Sequence, residues 1–236
     1  MQVEHKKQVS ESFRLGALLA MVGGFLDAYS YICRGEDFSN SQTGNTVLVG
    51  LSLAQSDFKG ALYHFVPVIA FIAGIILTEM IKSRVKPKPT FIHWRQIIIG
   101  AEIVILFIIS FVPTGVYDVV VNVSISFICA MQVEAFRKVN GTNLATTMCT
   151  GNLRTATEQI YISVVEKDKV KLRKSTQAYG IVFFFIIGAS IGGILTNMYL
   201  EKSILVASGI LCIVFLFMFK NSERDLLRQL EKYDNK

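Results

Sequence analysis

Residues 40–49 read NSQTGNTVLV, and the tripeptide Thr-Gly-Asn returns at 150–152 inside TMCTGNLRTA (147–156). Each copy opens a short apolar segment, TGNTVLVGLSLAQ (43–55) and TGNLRTATEQIYISVV (150–165). Whether these segments cross a membrane, dip into it or lie on its surface decides the fold, because it fixes the side on which every later loop falls.

A membrane is required by composition. A chain of 236 residues that is 52% hydrophobic and 18% charged, with 17 Gly and 17 Phe, is too apolar for an ordinary soluble domain. Runs long enough to cross a bilayer core, which takes about 20 helical residues, stand at about 14–32, 62–81, 97–112, 116–136, 177–198 and 203–219. The first run follows Lys6, Lys7 and Arg14 as a signal peptide would, but it is longer than the ~7–15-residue core of such a peptide and lacks a small-x-small cleavage site, so it is expected to stay as a span. The four cysteines and three histidines are scattered without ligand spacing, which gives no expectation of a metal or cofactor. The net charge of +6 resides in loops between spans and gives no argument for nucleic acid.

Positive charge arbitrates the topology, since Lys and Arg in short loops mark the cytoplasmic side. If both short segments dip in and return, with the N-terminus inside, twenty Lys and Arg fall inside against three outside (Arg34, Lys59 and Lys202), with Arg154 in the second segment. If both segments crossed, the division would be fourteen to nine. A 13-residue helix is also only about 20 Å long, short of the roughly 30 Å core. The alternative is an amphipathic helix on the membrane surface. The second segment suits that alternative, with Leu153, Ala156, Ile160 and Val164 opposite Arg154 and Glu158. The first has no polar face.

The repeated tripeptide belongs to a longer duplication. Asp27 lies 18 residues before Asn45, and Glu134 lies 18 before Asn152; DAY (27–29) answers EAF (134–136), and FIAG (71–74) answers FIIG (185–188) once about seven extra residues are allowed in the charged loop VEKDKVK. The units would be 12–113 and 116–220, followed by a cytoplasmic tail at 221–236, all in one membrane domain spanning 1–236. Each unit crosses three times, so the second is inverted, as in many transporters. The expected fold is an all-α integral membrane protein of six transmembrane helices plus two re-entrant half-helices in an inverted 3+3 repeat.

In that arrangement the two Thr-Gly-Asn segments reach the midplane from opposite sides. Gly44 and Gly151 are expected in tight turns, with Asn45 and Asn152, or Thr43 and Thr150, capping the helices that follow. Asp27 is costly in lipid and should face a partner or water. Glu134, next to Arg137 and Lys138, can instead snorkel, and Glu102 in IIIGAEIVILF is a second protonatable group. Gly16, Ala20 and Gly24, and Gly188 and Gly192, recur every four residues as helix-packing positions or a dimer face.

The blocks GGFLDAYSYI, FSNSQTGNTV and CAMQVEAFRKVNGTNLATTMCTGNLRTAT, with the spans after them, resemble the YoaK-type family of bacterial multi-pass membrane proteins over nearly the whole chain. The resemblance implies a six-span protein of the bacterial cytoplasmic membrane and brings no substrate with it. The residues themselves point to a transporter or channel for a small solute or ion, with both termini cytoplasmic. Its path would be lined by Asp27, Thr43, Gly44, Asn45, Glu102, Glu134, Thr150, Gly151, Asn152 and Arg154. Its partners would be the lipid bilayer, that solute and, at most, further copies of itself. Helix N-termini and Arg154 favour an anion, while the acids favour a proton or cation. The alternative is an accessory subunit or intramembrane enzyme; the chain carries no HExxH, Walker or Ser/His motif, so no enzymatic activity is expected.

Overall fold

The computed structural model describes residues 11–85 and 93–234, the last fifteen of these as backbone. Among the described residues the regular structure is helical apart from one small hairpin. Its helices are α1 (Phe13–Cys33), α2 (Gln42–Ala54), α3 (Phe58–Val85), α4 (Trp94–Ile109), α5 (Asp118–Ala135), α6 (Cys149–Glu166), α7 (Lys169–Tyr199) and α8 (Ile204–Asp234). The hairpin pairs β1 (Lys138–Val139) with β2 (Thr142–Asn143), and a 3-10 turn at Leu200–Ser203 joins α7 to α8.

Local chemistry explains the boundaries. Ser12 caps α1 by accepting from the Leu15 N–H at 3.3 Å. Asp57 Oδ1 accepts from the Gly60 N–H at 3.0 Å in the first turn of α3. The hairpin turns on Asn140 and Gly141, both at positive φ (48° and 80°), the pairing that a two-residue type I′ turn demands. The charged stretch after α6, expected as a loop, is almost all helix. Only Lys167, left-handed at φ 53°, and Asp168, whose carboxylate accepts from the Val170 and Lys171 N–H groups, separate α6 from α7. The tail expected at 221–236 continues α8 as helix to Asp234. The basic loop 82–96 is helical to Val85, and its residues 86–92 lie outside those described.

Among the described residues four stretches are long and apolar enough to cross a bilayer: α1, α3, α5 and Lys169–Phe219, which holds α7 and the first half of α8. α4 has 16 residues, about 24 Å, and falls below that length. α3 carries Phe65, Ile69, Ile72 and Ile76 exposed in one row, an apolar stripe that lipid covers and water would not tolerate. This is an all-helical membrane protein.

Helix pairing has a regular pattern. α1 packs on α7 and α5 on α3; α2 lies on α3 and α6 on α7; α8 contacts α4 and α1, and α4 contacts α5. Each of these pairs is either unchanged or turned into another when α1–α4 are exchanged for α5–α8. The main core, with Leu19, Phe25, Ile98, Leu106, Ile125 and Leu211, sits between α1, α4, α5 and α8. A smaller one joins α1, the hairpin, α6 and α7 through Ala20, Val139, Leu144, Ala156 and Ile181.

The spaced small residues lie between helices of the same chain. A Cβ on Gly24 would overlap the Phe185 carbonyl of α7, and one on Gly188 would overlap the Met21 carbonyl of α1. On the α3–α5 pair, a Cβ on Gly74 would overlap the Phe127 carbonyl. Backbone meets backbone at all three, so nothing flexible can yield. Gly44 and Gly151 are the opposite case and correct the expectation of tight turns: both lie inside the first turn of a helix, without positive φ, and a Cβ on Gly151 would meet nothing within 4 Å. Gly188→Ala and Gly74→Ala are therefore expected to destabilise the protein by about 1–3 kcal/mol. Gly44→Ala and Gly151→Ala should be neutral, or stabilising by up to about 1 kcal/mol from helix propensity. Thermal unfolding of the four purified variants checks the ordering, and equal losses in all four would contradict this packing.

Candidate functional site

α1 is the axis of the site. Gly23, the eleventh of its 21 residues, is its midpoint. Two irregular segments of different origin meet the helix there. From the α1–α2 connection, the Asn40 side-chain N–H₂ donates to the Gly23 carbonyl at 3.3 Å, and the Asn40 backbone N–H donates to Asp27 Oδ1 at 3.3 Å. From the hairpin–α6 connection, Thr147 lies so close that a Cβ on Gly23 would be 3.1–3.3 Å from Thr147 and the Thr146 carbonyl. Asn40 and Thr147 are separated by 107 residues, the spacing that separates Asp27 from Glu134 and Asn45 from Asn152. Cys149, the first residue of α6, lies within electrostatic reach of Asp27.

Side-chain amides hold both segments. Gln132 of α5 donates to the Leu19 carbonyl at 3.3 Å and to Thr146 Oγ1 at 2.8 Å. Gln42, at the start of α2, donates to the Ser39 carbonyl at 3.0 Å and to Ser126 Oγ of α5 at 2.7 Å. Asn152 closes on one residue of its own loop, accepting from the Ala145 N–H at 3.0 Å and donating to the Ala145 carbonyl at 2.6 Å. Asn45 makes no such clamp. Its N–H₂ reaches only Gln42 Oε1 at 3.5 Å. Buried oxygens without a protein partner remain on Asn40, Asn45 and Thr147, whose residues are 1%, 1% and 5% exposed.

The other expected path residues separate. Thr43, Thr150, Gly151 and Arg154 are exposed and Gly44 is half-buried. Glu102 is buried in α4 with Oε1 unpartnered, within electrostatic reach of Cys129 on α5. Glu134 lies at the end of α5, paired with Arg137 at 3.1 Å and within hydrogen-bonding reach of Glu79 of α3, itself paired with Lys82. Those are its partners; Asn152, its counterpart in the motif, is closed on Ala145. The expected caps differ too, because Asn45 and Asn152 stand fourth in their helices, inside the first turn.

A second polar cluster, missed in the sequence, closes the far end of α1. Arg34 is fully buried and uses its guanidinium completely: Nε and Nη2 donate to the Tyr29 hydroxyl (2.9 and 2.7 Å), Nη2 to the Val112 carbonyl (2.8 Å), and Nη1 to the Pro113 carbonyl (3.1 Å) and Asp118 (3.0 Å). Asn122 donates to the Arg34 carbonyl at 2.9 Å and accepts from Ser39 Oγ at 2.9 Å, linking this cluster to the loop that carries Asn40. In the same loop, burial pushes the Asp37 carboxyl above its ordinary value, against the pull of His64 and the Phe38 N–H. In sequence Arg34 is one loop charge among three, and nothing marks it as buried.

With this geometry in place, comparison with known proteins identifies the lineage. Residues 15–217 match the family described as "Protein of unknown function (DUF1275)", and the chain belongs to that family. A curated relative, the UPF0700 transmembrane protein YoaK of Bacillus subtilis (strain 168), is 26% identical over 187 residues, covering 74% of this chain and 80% of that protein. No solved structure matches the chain.

Removing Arg34 would empty a fully buried site, strand the buried Tyr29 hydroxyl, and leave the part-buried Asp118 carboxylate and the Val112 and Pro113 carbonyls without their donor. Arg34→Ala is expected to cost about 3 kcal/mol or more. Arg34→Lys should recover only part of that, since a point-charge ammonium cannot serve the Tyr29, backbone and carboxylate acceptors together. Unfolding of the two variants in detergent measures both, and full stability in the lysine variant would refute the role of the guanidinium fork.

Proposed function

We propose that this protein carries a small solute or ion across the bacterial cytoplasmic membrane, through a path that passes the meeting point of the two connections at Gly23 and Asp27. The units 12–113 and 116–220 act as an inverted pair with six crossings, and α2 and α6 enter from opposite faces as re-entrant segments. One observation carries the reading: Asn40 and Thr147, equivalent under the 107-residue spacing, both lie against the middle of α1. Non-helical backbone at mid-membrane depth is tolerated only where protein buries it or a wet cavity adjoins it. Here buried oxygens on Asn40, Asn45 and Thr147 lack protein partners, which favours the wet alternative.

The pairing of α1 with α7 and α3 with α5 supports the inverted pair, as does the lopsided distribution of Lys and Arg, which also puts both termini in the cytoplasm. α6 needs a different argument from α2. At 18 residues, about 27 Å, it is not too short to cross, but Arg154, Glu158 and Glu166 along it oppose full insertion. The path so described requires no chemical step, so the proposal is of a protein that is not an enzyme.

Single cysteines at positions 40 and 147, with Cys33, Cys129, Cys149 and Cys212 replaced, test this arrangement. A small membrane-impermeant thiol reagent is expected to label position 40 from the outside and position 147 from the cytoplasm, while lipid-facing controls at 107 and 216 stay unlabelled. Labelling of both sites from one side would defeat the inverted arrangement, and labelling of neither would defeat the path.

A further inference from the structure

We propose that Asp27, Asn40 and Thr147, with Asn45 one turn into α2, bind a small monovalent cation. The inference rests on the reading of this region as a solute path, and it decides the sign of the charge that the sequence left open. The three side chains other than Asp27 are each more than nine-tenths buried and each retains an unpartnered oxygen. For the two amides the identity of the free atom is fixed by its other end. Asn40 turns its nitrogen to the Gly23 carbonyl, which can only accept, so the oxygen is the free end. Gln42 turns its nitrogen to the Ser39 carbonyl, which leaves Gln42 Oε1 facing the Asn45 nitrogen and the Asn45 oxygen free. With the Thr147 hydroxyl and the Asp27 carboxylate, the group offers oxygen acceptors and one negative charge, and the Asp37 carboxylate of the same loop lies within electrostatic reach.

An anion would meet that charge and those acceptors, and among the described residues no lysine or arginine is paired with them. The cationic groups that the sequence offered are used or turned away elsewhere: Arg34 is spent at the end of α1, Arg137 pairs with Glu134, Lys82 with Glu79, and Arg154 is exposed. The positive end of α6 near Asp27 amounts to about half a charge and does not reverse the sign. A carboxylate at this depth is costly without a counter-charge, and a bound cation supplies one. A single carboxylate with neutral oxygens suits a monovalent ion; calcium sites take 6–8 oxygens and usually several carboxylates.

The test uses the full chain in lipid nanodiscs, with thermal unfolding followed in chloride salts of lithium, sodium, potassium, ammonium and choline at constant ionic strength. At least one small cation is expected to raise the melting temperature saturably relative to choline. Asp27→Asn should abolish that rise. Thr147→Val, which removes only an unpartnered hydroxyl and so should fold normally, is expected to weaken the cation about tenfold. The proposal is overturned if no small cation acts, if the rise survives unchanged in the variants that fold, or if it follows the anion with choline as the only cation. Flux in proteoliposomes separates this from the broader reading. Cation binding without flux of any solute would sink transport and keep the site, whereas flux of an anion without a cation-dependent rise would keep transport and sink the site.

Discussion

A peptide segment that leaves helical geometry inside a bilayer finds no water for its N–H and C=O groups, and each one left unpaired costs several kcal/mol. In the topology proposed above, much of the polar chemistry in this protein answers that constraint. Asn152 satisfies both backbone groups of Ala145, Gln132 and Asn40 bond to carbonyls of α1, and Gln42 takes the Ser39 carbonyl. These amides each combine a donor with an acceptor on a short stem and carry no charge to desolvate. The two connections can therefore rest against α1 without an ion pair at its centre.

For the amides to reach, the helices must stand close, which brings in the small residues. α1 and α7 touch through backbone at Gly24, Gly188 and Gly192, and α3 and α5 through Gly74. Between apolar helices in lipid no hydrophobic force drives association, so dispersion at short range and a few interhelical hydrogen bonds hold the bundle. α2 and α6 lean on α3 and α7 respectively. Close packing of the long helices thus sets where the first turns of α2 and α6, with Asn45 and Asn152, come to lie.

The broad outline was legible in sequence because it rests on quantities summed over many residues. Apolar runs gave the long helices, and the paired spacing of acid and Thr-Gly-Asn gave the corresponding segments. What was misread depended on single residues. Thr-Gly-Asn looks like a turn, but Gln42 and Cys149 already begin the helices, so the glycines fall inside them. The charged run after Val165 looks like a loop, but Lys and Glu are good helix formers, and an Asp168 cap behind a left-handed Lys167 makes the break with two residues. Asn140-Gly141 carried a hairpin signal that the basic character of its surroundings obscured. Asn40 and Thr147 were within reach of the 107-residue spacing, which points from one to the other once it is applied outside the tripeptide.

The segments related by the 107-residue spacing satisfy their polar groups unequally, and the proposed site rests on that inequality. In the second half, Ala145 has a small side chain and sits under the Asn152 amide, which closes completely. The corresponding residue of the first half is Phe38, half-exposed and stacked on Tyr31 with ring centroids 4.8 Å apart. The Asn45 amide turns instead to Gln42 and keeps an unused oxygen. The acids diverge in the same sense: Glu134 has Arg137 beside it, whereas Asp27 has a backbone N–H and the start of α6. On the proposed duplication, one copy satisfies its own polar groups and the other leaves acceptors over. The unsatisfied copy, on α1 and the loop before α2, is where a ligand has interactions to gain.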